Sequence, residues 1–517
     1  MKLLLSLMLA IAILPGRTTA QNSTPYGYYF DALRFSQTYT GGSARTQALG
    51  GSNVALGAEM TSISGNPAGL GMYNRSEVSI TPGFTYATNK TTLSNSSLNR
   101  QNVYGHLDNI GVVINNTSDE VSGWLGGSFG FSVNKINDFN AEYKYSASNS
   151  QNSIIDYFIE SANGIPAGNL PALEETADIT TLAYYTYLIG PGNILDPTYP
   201  DDEYFSDVTS FVRPTLNQEE TIYTSGSQYQ WSLSYGGNLH DVLYIGFGLG
   251  VVSLNYSAEK YYMESKFDYS ADDPTYDPIY QINLSEELEI NGTGFNGTFG
   301  LILRPVSFIR FGASITTPTM YSLKDSYSAS LEADWNDFFY SDLIGGDTVL
   351  NYVQANTALV AAKYNLGTPF KATVGTAIFF GKLGFITADI EYLDYKNTWL
   401  NSEEFSMDAD NDYIKNNFTQ AVNLKVGLEI RLDALRLRAG YALDQVPTTA
   451  DLSYNSSNQR ISAGVGLHKE NFFADFALIN SQANSTYSPY TLADNSQPNV
   501  ELWTNNFSGL LTLGFSF

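Results

Sequence analysis

Ala421-Val422-Asn423-Leu424-Lys425-Val426-Gly427-Leu428-Glu429-Ile430-Arg431-Leu432 alternates apolar and polar residues along its length. Val422, Leu424, Val426, Leu428, Ile430 and Leu432 project one way and the intervening residues the other, because successive side chains of an extended chain point to opposite faces. A period of two with one apolar face predicts a strand buried on one side. After Asp433-Ala434 the alternation resumes in Leu435, Leu437, Ala439 and Tyr441 against Arg436, Arg438 and Gly440. It returns at Ile461, Ala463, Val465 and Leu467, at Phe472, Ala474, Phe476 and Leu478, and from Phe507 to Phe517. Such a face meets a protein core in a soluble sandwich and lipid in a membrane barrel.

The connections separate those two cases. Very short links at Leu239-His240-Asp241, Pro305-Val306-Ser307, Gly381-Lys382, Asp433-Ala434 and His468-Lys469-Glu470 alternate with long polar loops, the largest at 136–227. Short turns on one side and long loops on the other are the periplasmic and extracellular ends of an outer-membrane barrel. The pattern predicts strands near 77–88, 105–115, 122–135, 228–238, 242–261, 290–304, 308–333, 359–380, 383–395, 418–432, 435–446, 458–468, 471–481 and 506–517. Pro318 interrupts one of them, but splitting 308–333 would place two strands in succession with no loop between and give an odd count. Read as one bent strand, it gives an all-β fold, a transmembrane antiparallel barrel of about fourteen strands.

Composition and compartment agree. Tyr is 37, Phe 29 and Gly 44 while charged residues are 15%, which suits a barrel with aromatic girdles. Lys2, the apolar Leu3–Leu14 and the small residues Thr18-Thr19-Ala20 have the three-part layout of a secretory signal peptide over 1–20. That apolar stretch is too short to span a bilayer as a helix, and the mean hydropathy of -0.16 excludes a helical membrane protein. There is no cysteine, so stability has to come from burial and closed hydrogen bonding rather than disulfides. A formal net charge of -26 excludes a nucleic-acid partner. The acids gather in expected loops, such as Asp201-Asp202-Glu203 and Asp408-Ala409-Asp410-Asn411-Asp412. The latter lacks the glycine and closing glutamate of an EF-hand, and no metal or cofactor is expected. Gly509, Leu511, Leu513, Phe515 and Phe517 share one face of the last strand and look like a signal read by the barrel-assembly machinery. The expected location is the bacterial outer membrane, as a multi-pass barrel among lipid and lipopolysaccharide.

The segment ahead of the first strand is different in kind. Ala32-Leu33-Arg34-Phe35-Ser36 leads to Gly41-Gly42-Ser43-Ala44-Arg45 and Ala48-Leu49-Gly50-Gly51, then to Ala55-Leu56-Gly57-Ala58-Glu59-Met60-Thr61-Ser62 and Asn66-Pro67-Ala68-Gly69-Leu70. This order resembles the N-terminus of the FadL/TodX outer-membrane transporters of long-chain fatty acids and other hydrophobic compounds, in the variety found in Bacteroidetes-type bacteria. In motif the resemblance covers about residues 30–85 and the final strand. It implies that Asn66, Pro67 and Ala68 are the plug motif and that 21–75 form a small helical plug in the lumen of a barrel running over 76–517. It also implies a sideways exit at a kinked third strand, for which Gly126, Gly127 and Gly130 are the candidates.

Transport of a hydrophobic ligand needs capture, an interior site and an exit. Ile154, Ile155, Phe158 and Ile159 recur at helical spacing, so Ile155, Phe158 and Ile159 are candidates for an extracellular capture groove; packing of the loop upon itself is the other use of them. Parity places Arg310, Lys371, Arg431 and Arg438 in the lumen as candidate partners of a ligand carboxylate. Asp389, Glu391, Glu429 and Asp475 face the same lumen, where cross-strand salt bridges would occupy those cations instead. The expected function is passive outer-membrane transport by capture, a plugged lumen, a plug shift around Asn66-Pro67-Ala68 and lateral release. A non-specific porin or a structural or adhesive barrel is the alternative. His106, His240 and His468 form no nucleophile constellation, so no catalytic residue is assigned.

Overall fold

The computed structural model describes residues 27–39, 41–121, 123–173, 176, 178–192, 199–270, 273, 275–342, 346–449 and 458–517. The expected signal peptide and residues 21–26 of the expected plug lie outside them. Fourteen antiparallel strands close into one barrel. They are β1 (Glu77–Leu93), β2 (Ser96–Val121), β3 (Trp124–Asp138, continued by Ala141–Asn149), β4 (Thr215–Leu239), β5 (Leu243–Asp268), β6 (Ile279–Val306) and β7 (Ile309–Thr316 and Met320–Asp342). The second half comprises β8 (Val360–Gly367 and Lys371–Phe379), β9 (Gly384–Asp394), β10 (Gln420–Leu432), β11 (Leu435–Asp444), β12 (Asn458–Lys469), β13 (Phe472–Tyr487) and β14 (Val500–Ser516). The seam is complete: β1 pairs β14 from Glu77 opposite Ser516 to Thr92 opposite Glu501.

Pro318 does bend one strand rather than divide two. Ile309–Thr316 and Met320–Asp342 pair with the same β6 on one side and with the two segments of β8 on the other. Proline is tolerated there because the ladder is already interrupted over Thr317–Thr319. The expected strands stop short at their extracellular ends. The connection expected at 136–227 is strand over Ala141–Asn149 and again from Thr215, which leaves 150–214 as the long loop. It carries helices α3 (Ile154–Ala162) and α4 (Ile179–Tyr185).

These long strands reverse their hydrophobic face part-way. In β5, Ile245, Phe247, Leu249 and Val251 are exposed on the outside, opposite Gly246, Gly248 and Gly250. From Val252 upward the buried inward residues are Val252, Leu254, Tyr256, Ala258 and Tyr262, while Ser253, Asn255 and Glu259 lie outside. β7 does the same: Phe311, Ile315 and Met320 are exposed outside, then Tyr321, Leu323, Tyr327, Leu331 and Trp335 are buried inside. The outward apolar run Leu243–Val251 is close to the about 9–11 residues a tilted strand needs to cross a bilayer. The lower half is therefore a lipid-facing barrel, and the upper half an extracellular extension with an apolar interior.

Candidate functional site: a plugged lumen with a bent third strand

In the lower half the lumen is filled by residues 41–75. Ser43 caps the short helix α2 (Ala44–Ala48), and Asn66 caps the 3₁₀ turn Pro67–Met72, with Pro67 at the first position where no N–H is needed. Asn66 Oδ1 accepts from Ala68 N at 3.2 Å, while its Nδ2 donates to Val54 O at 2.7 Å and to Leu301 O of β6 at 3.3 Å. The motif thus ties the plug to itself and to the wall. Glycines on the wall admit it: a Cβ on Gly246 would overlap the Pro67 carbonyl, and one on Gly300 the Asn66 carboxamide. Asp389 accepts from Asn53 N at 2.7 Å and Val54 N at 3.1 Å.

The four lumen cations sit at this level and are not brought together. Arg310 donates to Leu56 O of the plug and lies 4.4 Å over the Phe379 ring. Arg431 and Arg438 both hold Glu429, each at 2.8 Å, and Arg438 also bonds Asp475. Lys371 is 3.9 Å from Glu391, which Lys425 holds at 3.1 Å. Arg45 of the plug joins the same network through Glu59 and Glu429. Three of the four cations are paired with wall carboxylates and the fourth with the plug backbone, so no open carboxylate-binding group forms from them.

Above the plug, helix α1 (Tyr29–Ser36) lies across the upper lumen. Tyr28, Ala32 and Phe35 pack into a buried layer with Tyr256, Ile290, Leu323, Leu366 and Met407. Tyr28 donates to Asp325 at 3.0 Å, Tyr364 donates to Asp31 at 3.0 Å, and Tyr29 N donates to Asp410 at 3.1 Å. Burial pushes the Asp31 carboxyl up to about 6, against the opposing pull of Arg34 and of the Tyr364 hydroxyl. Residue 31 carried no sequence signal beyond its place in the N-terminal segment, because its partners lie on distant strands.

A third layer closes the top. Ile155 and Phe158 of α3 are fully buried with Leu182 and Ala183 of α4 and Leu331 and Trp335 of β7, and Ile159 is packed against them at the edge. These residues form a cap interior and present no open groove. Glu264 anchors the cap: it accepts from Ile154 N at 2.8 Å, Gln218 Nε2 at 2.9 Å and Tyr262 OH at 2.7 Å, and bonds the Ser153 hydroxyl.

The wall itself is interrupted beside β3. Gly126, Gly127 and Gly130 are paired on both sides, with Thr117, Asn116 and Val113 of β2 and with Asn238, Gly237 and Ser234 of β4. Gly130 gives clearance to Ile63 and Leu70 of the plug. The β2–β3 ladder ends instead at Asn109 opposite Asn134, so Ser96–Asp108 pairs β1 only. Beyond Phe139-Asn140 the continuation of β3 stays paired with β4 but leans across the lumen onto β1, where Asn89 Nδ2 donates to Glu142 O at 3.1 Å and the Thr91 hydroxyl donates to Lys144 O. The backbone ladder is left open along the Ser96–Asp108 edge of β2, and Arg100 of that edge bridges to Glu142 of the continuation at 3.0 Å. At the foot of this edge, His106 lies 3.3 Å from Asp108 and 2.9 Å from Thr85 Oγ1. That hydroxyl also bonds the Ser508 hydroxyl at 2.8 Å.

The fold has a counterpart among solved structures. A FadL homologue of Pseudomonas aeruginosa superposes over 93% of this chain and 99% of its own, with a TM-score of 0.53 at 10% identity. The fold is of the FadL type. The toluene transporters TodX of P. putida and TbuX of Ralstonia pickettii align over 92% of this chain and 99% of theirs, each at 11% identity and a TM-score of 0.49. No protein-family model and no curated protein matches the sequence. The FadL-type architecture was therefore reached with almost none of the same residues, which leaves the chemistry of the lumen to be read from this chain alone.

Proposed function

We propose that this protein carries hydrophobic small molecules passively across the outer membrane. Long-chain fatty acids and other long apolar compounds form the candidate cargo class. The observation that carries this reading is the layered interior: an apolar upper lumen stands on a tightly packed plug, and the β2–β3 ladder is interrupted between the two. Cargo enters beneath the cap, pushes aside the Phe35 side chain while the main chain of α1 stays seated, and leaves sideways past the bend at Phe139-Asn140 into lipid. An apolar molecule gains about 25 cal/mol for each Å² of surface kept from water along such a route. Asn66-Pro67-Ala68 acts as a fixed floor, since both its neighbours and the wall glycines leave no slack for a shift. The surroundings are outer-membrane lipid and lipopolysaccharide, and Phe517 serves as the signal to the barrel-assembly machinery.

Native mass spectrometry with lipid extraction on protein purified from its own membrane tests the reading. A co-purifying long apolar molecule is expected, retained less well when Phe35→Ala loosens the α1 layer. An empty barrel that passes small sugars in liposome swelling would overturn transport of hydrophobes in favour of a porin.

A further inference from the structure

The polar groups of the upper lumen have a consistent bias. Lys135 is shared by two acids, 3.0 Å from Asp138 and 3.7 Å from Asp108. Lys260 stands within electrostatic reach of both Glu220 and Glu286. Asp325 is held by the Tyr28 hydroxyl and Ala362 N, each at 3.0 Å, and Glu264 by neutral donors. Arg34 and Arg100 are likewise taken up by Asp31 and Glu142, so a ligand carboxylate brought into this space would meet acids in excess of cations. Burial raises Glu220 to about 7, so the repulsion is complete above that pH.

The neutral groups point the same way. Gln228 Nε2 donates to the main-chain carbonyl of Phe35 at 3.2 Å, and Asn89 Nδ2 to that of Glu142 at 3.1 Å. A carbonyl can only accept, so each amide is fixed the way round that turns its oxygen elsewhere. Gln228 Oε1 and Asn89 Oδ1 are both buried and receive no hydrogen bond. They flank the bent segment of β3: Gln228 pairs with Asn137, and Asn89 contacts Glu142. A buried acceptor without a donor costs about 1–3 kcal/mol, which a ligand donor would recover.

We infer that the passage selects long apolar molecules whose polar end donates hydrogen bonds, an alcohol or an amine, and disfavours those ending in a carboxylate. The acceptors beside the bend, Asn89 Oδ1 and Gln228 Oε1, receive the O–H or N–H, and the surrounding acids repel an anion. This rests on the transport reading above and narrows its cargo.

Direct binding of tritiated hexadecanol, hexadecylamine, hexadecane and palmitate to the full-length protein in nanodiscs tests it, with empty nanodiscs as the partition control. Hexadecanol and hexadecylamine are expected to bind about tenfold or more tighter than palmitate and hexadecane, the size of one recovered hydrogen bond. Gln228→Leu with Asn89→Leu is expected to erase the alcohol's advantage over hexadecane. Glu220→Gln with Glu286→Gln should narrow the gap to palmitate while the protein keeps its heat-modifiable migration as a folded barrel. Palmitate binding as tightly as hexadecanol, or hexadecane doing so, would overturn the head-group selection and leave hydrophobe transport standing. Binding of none of the four would overturn both.

Discussion

The two halves of β5 follow the same alternation and put it to opposite use. Below Val251 the large residues face lipid and the glycines face the plug; above Val252 the large residues face the lumen and Ser253, Asn255 and Glu259 face water. Period therefore identifies a strand, while the solvent on each side is set by which parity carries the bulk. In the lower half, wall glycines bring the plug backbone against the strands and buried polar side chains tie it there. In the upper half wall and plug meet through side chains, which can rearrange around a guest. The difference places rigidity at the floor and adaptability above it.

That contrast can be broken by substitution. Phe158→Ala in the cap is expected to cost about 3–5 kcal/mol of cap stability, the range for a fully buried aromatic. Phe247→Ala on the lipid face should cost far less, and limited proteolysis of the 150–214 loop against whole-barrel unfolding in liposomes would separate the two. Equal effects would deny that the upper half has a core of its own. Leu249→Arg should destabilise the barrel by about 2–4 kcal/mol, as a charge near the bilayer midplane does. Ser253→Arg, on the same face of the same strand, is expected to change stability by no more than about 0.5 kcal/mol, because it lies in water. A comparable loss at both positions in denaturant titrations would move the membrane boundary upward.

Finer tests address the plug and α1. Asp389→Ala leaves the buried Asn53 and Val54 amides without an acceptor, an expected loss of about 1–3 kcal/mol confined to the plug. Hydrogen exchange should quicken at those amides while the strands stay protected. The smallest effect concerns Asp31. Its folded value of about 6 lies above its ordinary 3.8, so the folded state holds the extra proton. Its contribution is complete below 3.8 and is lost as pH rises through about 6. Exchange in α1, corrected for intrinsic rates, should be slower at pH 5 than at pH 8, and Asp31→Asn should remove the difference. A pH-independent α1 would show that its docking is governed by packing alone.

The strands were legible because alternation is local: each residue's facing depends on its own parity, and Pro318 could be placed by counting loops. The phase reversal was also written in the chain, in the doublets Val251-Val252 and Met320-Tyr321 where apolar residues fall on both parities. The pairing of Arg431 and Arg438 with Glu429 was foreshadowed by acids of the same parity. The bend at Phe139-Asn140 and the burial of Asp31 were not legible, because each depends on strands far away in sequence. The polar run Asn137-Asp138 ended the alternation and looked like the start of a loop, whereas the strand only leaves one neighbour and keeps the other. Gly126, Gly127 and Gly130 looked like a break in pairing but are paired on both sides, and Gly130 gives clearance to Ile63 and Leu70 inside.

Clearance has a consequence for how the molecule is put together. Pro67 and Asn66 lie so close to the backbone of Gly246 and Gly300 that the N-terminal segment is expected to be seated before the cylinder is finished. The expected order is that residues 41–75 settle against β4 to β6 while the sheet is still open, and the seam between Glu77 and Ser516 then closes around them. Chain order suits this, since the segment to be enclosed is joined directly to the strand that makes the last closure. A bulky residue at Gly246 or Gly300 would then show itself less as a weakened fold than as ribbons that never become rings.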